Sequence, residues 1–238
     1  MDILDKDFSR VWPLSQGAVA AAREYVALIE DQLDRAHSVM RASALAEYKA
    51  SPGTDDADYQ GYVSVVDRAF EHDYRPIMRF TETVYLYMIF EVYVRQHVAE
   101  ILALSHDRRG TLQVLQRGAK HGFLRSAQKY IRDDAGLRFF TEKEWDTLYS
   151  LACLRNCIIH NGGVTRGYRQ SAAIYGLENQ TWQRRRIGIR IGRYQGHDLG
   201  EAIIIERRFI EYFLDLLERF FVSLAQAVDI RFRNEKKS

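Results

Sequence analysis

Cys153-Leu154-Arg155-Asn156-Cys157-Ile158-Ile159-His160-Asn161-Gly162-Gly163 stands roughly two thirds of the way along a chain of 238 residues. An apolar helical run, Trp145 to Leu154, leads into it, and the two glycines stop the helix. At the other end of that run, Thr141-Glu142-Lys143-Glu144 spells a capping box, with Thr141 as N-cap and Glu144 three residues on. The stretch therefore reads as the exit of a core helix. It carries an arginine, an amide and a histidine within about one and a half turns.

Working outward toward the N-terminus, the periodicity is helical. Gly17 to Ala50 reads as one long helix, with Val19, Ala22, Val26, Ile29, Leu33, Ala36, Met40 and Ala44 at three- and four-residue steps. Ser15 is its expected N-cap, and Arg23, Glu24, Glu30, Asp31, Asp34 and Arg35 form its solvated face. Ser51-Pro52-Gly53-Thr54-Asp55-Asp56 is a break. A second helix runs from about Ala57 to Tyr74, where Pro76, lacking an amide donor, ends or kinks it. Ile77 to Leu104 is apolar on more than one side, the mark of the most buried helix of a bundle. Its Tyr85, Tyr87, Phe90 and Tyr93 read as core, and Glu91 with Arg95 as an i, i+4 ion pair. A short amphipathic helix from about Phe123 to Ala135 turns Leu124, Ala127 and Ile131 inward.

Beyond Gly163 the texture changes. Twelve of the fifteen glycines lie after residue 109, and the period switches to alternation in Arg186-Ile187-Gly188-Ile189-Arg190-Ile191-Gly192-Arg193. Ile187, Ile189 and Ile191 then share one face, and Arg184, Arg186 and Arg190 the other. Ala202 to Ile205 reads as a second strand, with Gln195 to Gly200 as the hairpin loop. Arg207 to about Arg233 is a final helix with Phe209, Phe213, Leu216, Leu217, Phe220, Leu224 and Val228 on one side, and 231–238 is a basic, frayed tail. The expected fold is a single domain over residues 1–238. It is mainly all-α, a bundle of long antiparallel helices with a small two-stranded β insertion, at about 184–205, before the C-terminal helix.

Totals narrow the function classes. A hydrophobic content of 47%, a charged content of 28% and a formal net charge of +2 belong to an ordinary soluble domain. Two cysteines four residues apart make no disulfide framework, which points to a reducing, cytoplasmic setting. The acidic start Met1-Asp2-Ile3-Leu4-Asp5-Lys6-Asp7 is unlike a signal peptide. The most apolar run, Val84 to Phe90, is bracketed by Glu82, Glu91 and Arg95, far short of the ~20 residues of a membrane span. Basic residues cluster: Arg108, Arg109, Arg117, Lys120, Arg125, Lys129 and Arg132 occur with no acid among them, and residues 166–195 hold seven arginines against Glu178. Such clustering fits one basic face directed at an anionic polymer.

Arg155-Asn156-Cys157-Ile158-Ile159-His160 is an Arg-x4-His pattern with a polar residue after the arginine. With an apolar helix before it, Asn161-Gly162-Gly163 after it, short strands and a last amphipathic helix, the chain resembles the HEPN superfamily. In particular it is similar to the HEPN proteins of bacterial defence and toxin–antitoxin systems. The resemblance implies a helical domain with metal-independent endoribonuclease activity, no cofactor, and a homodimer that brings two copies of the motif together. It also implies a neutralising antitoxin or defence-system partner. Some members carry, two residues after the histidine, a tyrosine that a nucleotidyltransferase antitoxin modifies; here Gly162 stands at that position.

The residue types suit RNA cleavage, because RNA supplies its own nucleophile in the 2′-hydroxyl. Proton transfer falls to His160, the side-chain type suited to acid–base work near neutrality. Arg155 is permanently charged and its planar fork matches phosphate oxygens. Asn156, four residues before His160, is placed to orient the imidazole or to bind phosphate. Asn161, Gly162 and the glycine amides are expected to line the same pocket, and Arg184, Arg186 and Arg190 to contact RNA by charge and stacking. On an ideal helix Arg155 and His160 point roughly 140° apart. Either the last turn unwinds or a second subunit completes the site. The plainer reading makes His160 a C-terminal helix cap and Arg155 a structural ion-pair partner. Cys153, Cys157 and His160 share a face, but three ligands on one helix do not surround a tetrahedral metal, so the cysteines read as buried small hydrophobes. A non-catalytic module that binds RNA, nucleotide or a protein is the alternative function.

Overall fold

A computed structural model of the chain describes residues 3–51, 56–105, 122–185, 188–193 and 201–235. Its first element, α1 (Ile3–Ala50), starts well before the expected Gly17 and passes through Pro13. Ser15 is therefore no N-cap. It is fully buried, its hydroxyl donates to the Trp12 carbonyl at 3.0 Å, and its Oγ lies 3.2 Å from His97 Nε2. Of the inward positions, Val19, Ala22, Val26 and Ala44 are buried as the spacing predicts, while Ala36 and Met40 are exposed. Glu30, placed on the solvated face, is instead 2% exposed.

The chain re-enters at α2 (Asp56–Ala69), which runs without a break through a π-helical turn, Phe70–Tyr74, into α3 (Arg75–Leu104). Pro76 does not end the helix. It falls in the first turn of α3, and the turn before it widens so that Arg75 N–H reaches back five residues to the Phe70 carbonyl. Widening by one residue is how a helix accommodates a proline that cannot donate and would press on the carbonyl four residues back. A second π turn, Tyr130–Asp134, closes α4 (Phe123–Lys129), so the regular helix expected to reach Ala135 ends at Lys129.

Thr141 caps α5 (Glu142–Asn161) as read from the sequence. Its Oγ1 accepts from Glu144 N, and the Glu144 carboxylate accepts from Thr141 N and Oγ1 at 2.9 and 2.8 Å. Thr141→Ala is expected to cost about 1 kcal/mol, measurable as a fall in the urea midpoint at unchanged slope.

After α5 comes α6 (Ser171–Arg185), then β1 (Ile189–Arg193), β2 (Glu201–Ile205) and α7 (Arg207–Glu235). The strands pair antiparallel, Ile189 opposite Ile205 and Ile191 opposite Ile203. The β insertion is thus shorter than expected, and Arg184 lies in a helix that the glycine-rich texture hid. The helix has a signal of its own, since Ile174, Leu177 and Thr181 are buried at steps of three and four. The C-terminal helix continues through Arg231 to Glu235 rather than fraying at 231.

Across the described residues the architecture is a mainly helical bundle with a small two-stranded sheet before the C-terminal helix. α3 lies at the centre, packed on α1, α5 and α7. Phe90 is fully buried and meets Phe220 edge-on at 5.1 Å, and Phe220 meets Trp145 of α5 at 5.3 Å. This knot of rings ties the motif-bearing helix to the bundle. Glu91 and Arg95 form the expected ion pair. No described helix is long and apolar enough to cross a membrane.

Candidate functional site

The motif sits on the last turns of α5, and the helix remains regular through Asn161. Gly162 then takes the left-handed conformation, φ 59°, that closes a helix at low cost in glycine. Its N–H donates to the Cys157 carbonyl, and so does that of Gly163, at 3.2 Å. Of the two alternatives, unwinding of the last turn does not occur, and the glycine amides are committed to the helix end rather than free for a ligand. Asn161 is committed too: Nδ2 donates to the carbonyls of Val164, 2.6 Å, and Arg166, 3.3 Å. Its role is to fold the turn.

That turn is spliced onto the hairpin. The Gly163 carbonyl accepts from Ile203 N, Val164 bridges Ala202, and Thr165 N donates to the Glu201 carbonyl. Beneath it lies Phe80 of α3, so close that a Cβ on Gly163 would stand 2.5 Å from two ring carbons. With φ at 78° as well, Gly163→Ala is expected to cost about 2–4 kcal/mol, against roughly 1 for Gly162→Ala, whose Cβ meets nothing. Paired denaturation curves check the difference.

Within α5 the side chains divide by depth. Cys153, Leu154 and Cys157 are buried, Arg155 and Asn156 are half-buried, and Ile159 and His160 are exposed. Arg155 Nη1 donates to Asn156 Oδ1 at 2.7 Å, so the amide steadies the guanidinium and not the imidazole. Arg155 Nε is shielded from solvent and has no hydrogen-bond partner. The Tyr87 phenol of α3 lies within the field of this arginine. Burial pushes it above its ordinary range and Glu91 adds to the push, while Arg155 and then Arg95 oppose it. The order α3–Arg155–Asn156 thus defines one side of the motif, and His160, at solvent beyond it, the other.

Cysteine chemistry at the site is damped. Burial pushes the Cys157 thiol up to about 11, and burial raises Cys153 against the opposing hydrogen bond of Tyr149 and the charge of Arg125. Both are free, and Cys157 Sγ donates to the Val164 carbonyl at 3.3 Å. Among the described residues no three His, Cys, Asp or Glu side chains are grouped to hold a metal ion. Of the strand arginines, Arg190 is exposed and ion-paired to Glu206 at 2.8 Å, Arg184 belongs to α6, and Arg186 lies outside the described residues. The isoleucine face holds where described, with Ile189 fully buried.

One cluster escaped the sequence reading. Glu30 of α1 meets Arg79 of α3 at 2.9 and 3.3 Å and Arg75 at 3.6 Å, while Arg79 Nη1 also donates to the Ile205 carbonyl. Beside them Glu82 is 1% exposed, with neither carboxylate oxygen hydrogen-bonded. Its signal was the run of charges at Arg75, Arg79 and Glu82, which share one face of a helix otherwise fit for the core.

No protein-family model matches the chain, and no curated protein or solved structure matches it either.

Proposed function

We propose that the chain is a HEPN-type, metal-independent endoribonuclease whose working site is shared between two copies of the molecule. The observation that carries the reading is the pairing of a braced arginine with an exposed histidine on one unbroken helix end, aimed in different directions. An arginine half-sunk beside Tyr87 and steadied by Asn156 presents a fixed positive fork, which suits a phosphate better than a mobile surface ion pair does. A second copy, docked over the same helix end, brings its own histidine to that fork.

In the proposed reaction the 2′-oxygen of the substrate attacks the adjacent phosphorus, and the bond to the 5′-oxygen breaks. His160 moves the proton released by the 2′-hydroxyl, or the one needed by the departing 5′-oxygen. Arg155 offsets the charge that builds on the phosphate oxygens. A 2′,3′-cyclic phosphate and a free 5′-hydroxyl are the products. Support for the shared site comes from exposed apolar side chains on the helices that carry the motif and its neighbour Tyr87: Ile159 on α5, Met88 and Val92 on α3. By analogy, such an enzyme works in the cytoplasm under the restraint of an antitoxin or a defence-system partner.

RNA incubated with the purified protein in EDTA tests the reading, alongside Arg155→Ala and His160→Ala. Cleavage by wild type alone supports it. RNA left intact but bound by all three favours the non-catalytic binding module.

A further inference from the structure

Glu82 occupies an unusual position for a carboxyl group. It is enclosed between α1, α3 and the start of α7, and the charged groups facing it are Glu30, Arg79 and Arg207, with Arg75 behind Glu30. Of the two arginines whose charge acts on it, Arg79 exerts the larger pull, but its hydrogen bonds are made elsewhere. Nε and Nη2 serve Glu30, and Nη1 serves the Ile205 carbonyl at the end of β2. An ionised Glu82 would thus be a second buried carboxylate with no hydrogen-bond donor, whereas a protonated one needs none of Arg79's capacity.

The same arginine leads to the motif. Arg79 grips Ile205; two residues back in β2, Ile203 N donates to the Gly163 carbonyl; and Phe80, next to Arg79, underlies Gly163. We propose that Glu82 is a proton-operated latch on the motif turn. With its proton, it leaves Arg79 free to clamp α1 to β2 beneath Gly163. Without it, Glu82 competes for Arg79, and the strand that pins the turn loosens. This holds whether or not the turn cleaves RNA.

The changeover falls near neutrality. Burial, and then the charge of Glu30, push the Glu82 carboxyl up to about 7, against the pull of Arg79 and Arg207. A carboxyl whose folded-state value is raised binds its proton more tightly when closed. The closed state is therefore favoured at low pH, and the advantage drains away as pH rises from the ordinary glutamate range to about 7.

Hydrogen exchange on the full chain tests this, with intrinsic rates divided out. Between pH 5.5 and 8 the opening of amides in 163–165 and 201–205 should rise on the order of 30-fold in wild type and stay nearly constant in Glu82→Gln. Amides of α7 around Phe213 to Leu224 should hold in both. An equal rise in both proteins, or a rise spread evenly into α7, overturns the latch. So does a carboxyl titration of Glu82, followed by carbon NMR, that falls in the ordinary glutamate range. Should Glu82→Gln not fold, the wild-type exchange pattern and titration decide between the same outcomes.

Discussion

His160→Ala is expected to lower RNA cleavage in EDTA by about 10²–10⁴-fold while the unfolding curve stays in place. The side chain is exposed, so its removal leaves no cavity and no orphaned partner. A mere helix cap would behave in the opposite way, shifting stability slightly and leaving cleavage alone. Arg155→Ala should lose about 10²–10³-fold, the scale of removing one charge-stabilising donor from a reacting centre. Arg155→Lys should recover little, because lysine keeps the charge but loses the fork that Asn156 steadies. A site built from the arginine of one copy and the histidine of the other makes a further demand. Mixing Arg155→Ala with His160→Ala chains should restore cleavage, since one of the two sites in each mixed dimer is then intact. Activity that returns with neither variant and with no mixture would sink the shared Arg–His pair.

Arg79→Ala should be the most damaging substitution for stability, at about 3 kcal/mol or more. Glu30 is almost wholly buried and would keep only Arg75, at 3.6 Å, as a counter-charge. The Ile205 carbonyl would lose its donor in the same step. Glu82 would also lose an opposing charge, which drives its carboxyl further upward and makes the closed state more dependent on protonation. Urea unfolding at pH 6 and pH 8 reads both effects: a lowered midpoint at each pH, and a larger gap to wild type at pH 8. A variant as stable as wild type at pH 8 would show that Arg75 alone neutralises the pair.

The helices of the bundle were legible because burial imposes the 3.6-residue period wherever one face meets a core. α5 was legible to the residue at its start, since Thr141 and Glu144 satisfy each other's backbone locally. Ser15 misled for the same reason. A serine before an apolar run has the chemistry of an N-cap, and only the tertiary neighbour His97 explains why it is buried mid-helix. At Pro76 the sequence allowed an end or a kink, and the helix instead continues through a turn widened by one residue, a remedy that leaves no mark in composition. α6 hid behind glycines and arginines whose signal resembled the strand that follows. At the site, the residue types and the 140° divergence came from sequence and helix geometry. The partners did not: that Asn156 holds Arg155, and that Asn161 holds the turn, depends on side-chain rotamers. Glu30 was hidden because a charge on a helix reads as solvated until the opposing helix supplies its arginines, whereas Glu82 left a signal only in its alignment with Arg75 and Arg79 on one face of an apolar helix.

The bond from Ile203 to Gly163 has a consequence for synthesis. A chain emerging from the ribosome carries His160 for roughly forty residues before the strand that pins its turn has been made. Until then the exit of α5 has neither its hairpin nor, with Phe220 still to come, the aromatic knot that seats the helix. The exit of α5 therefore takes its final shape only after β2 and Phe220 have been made.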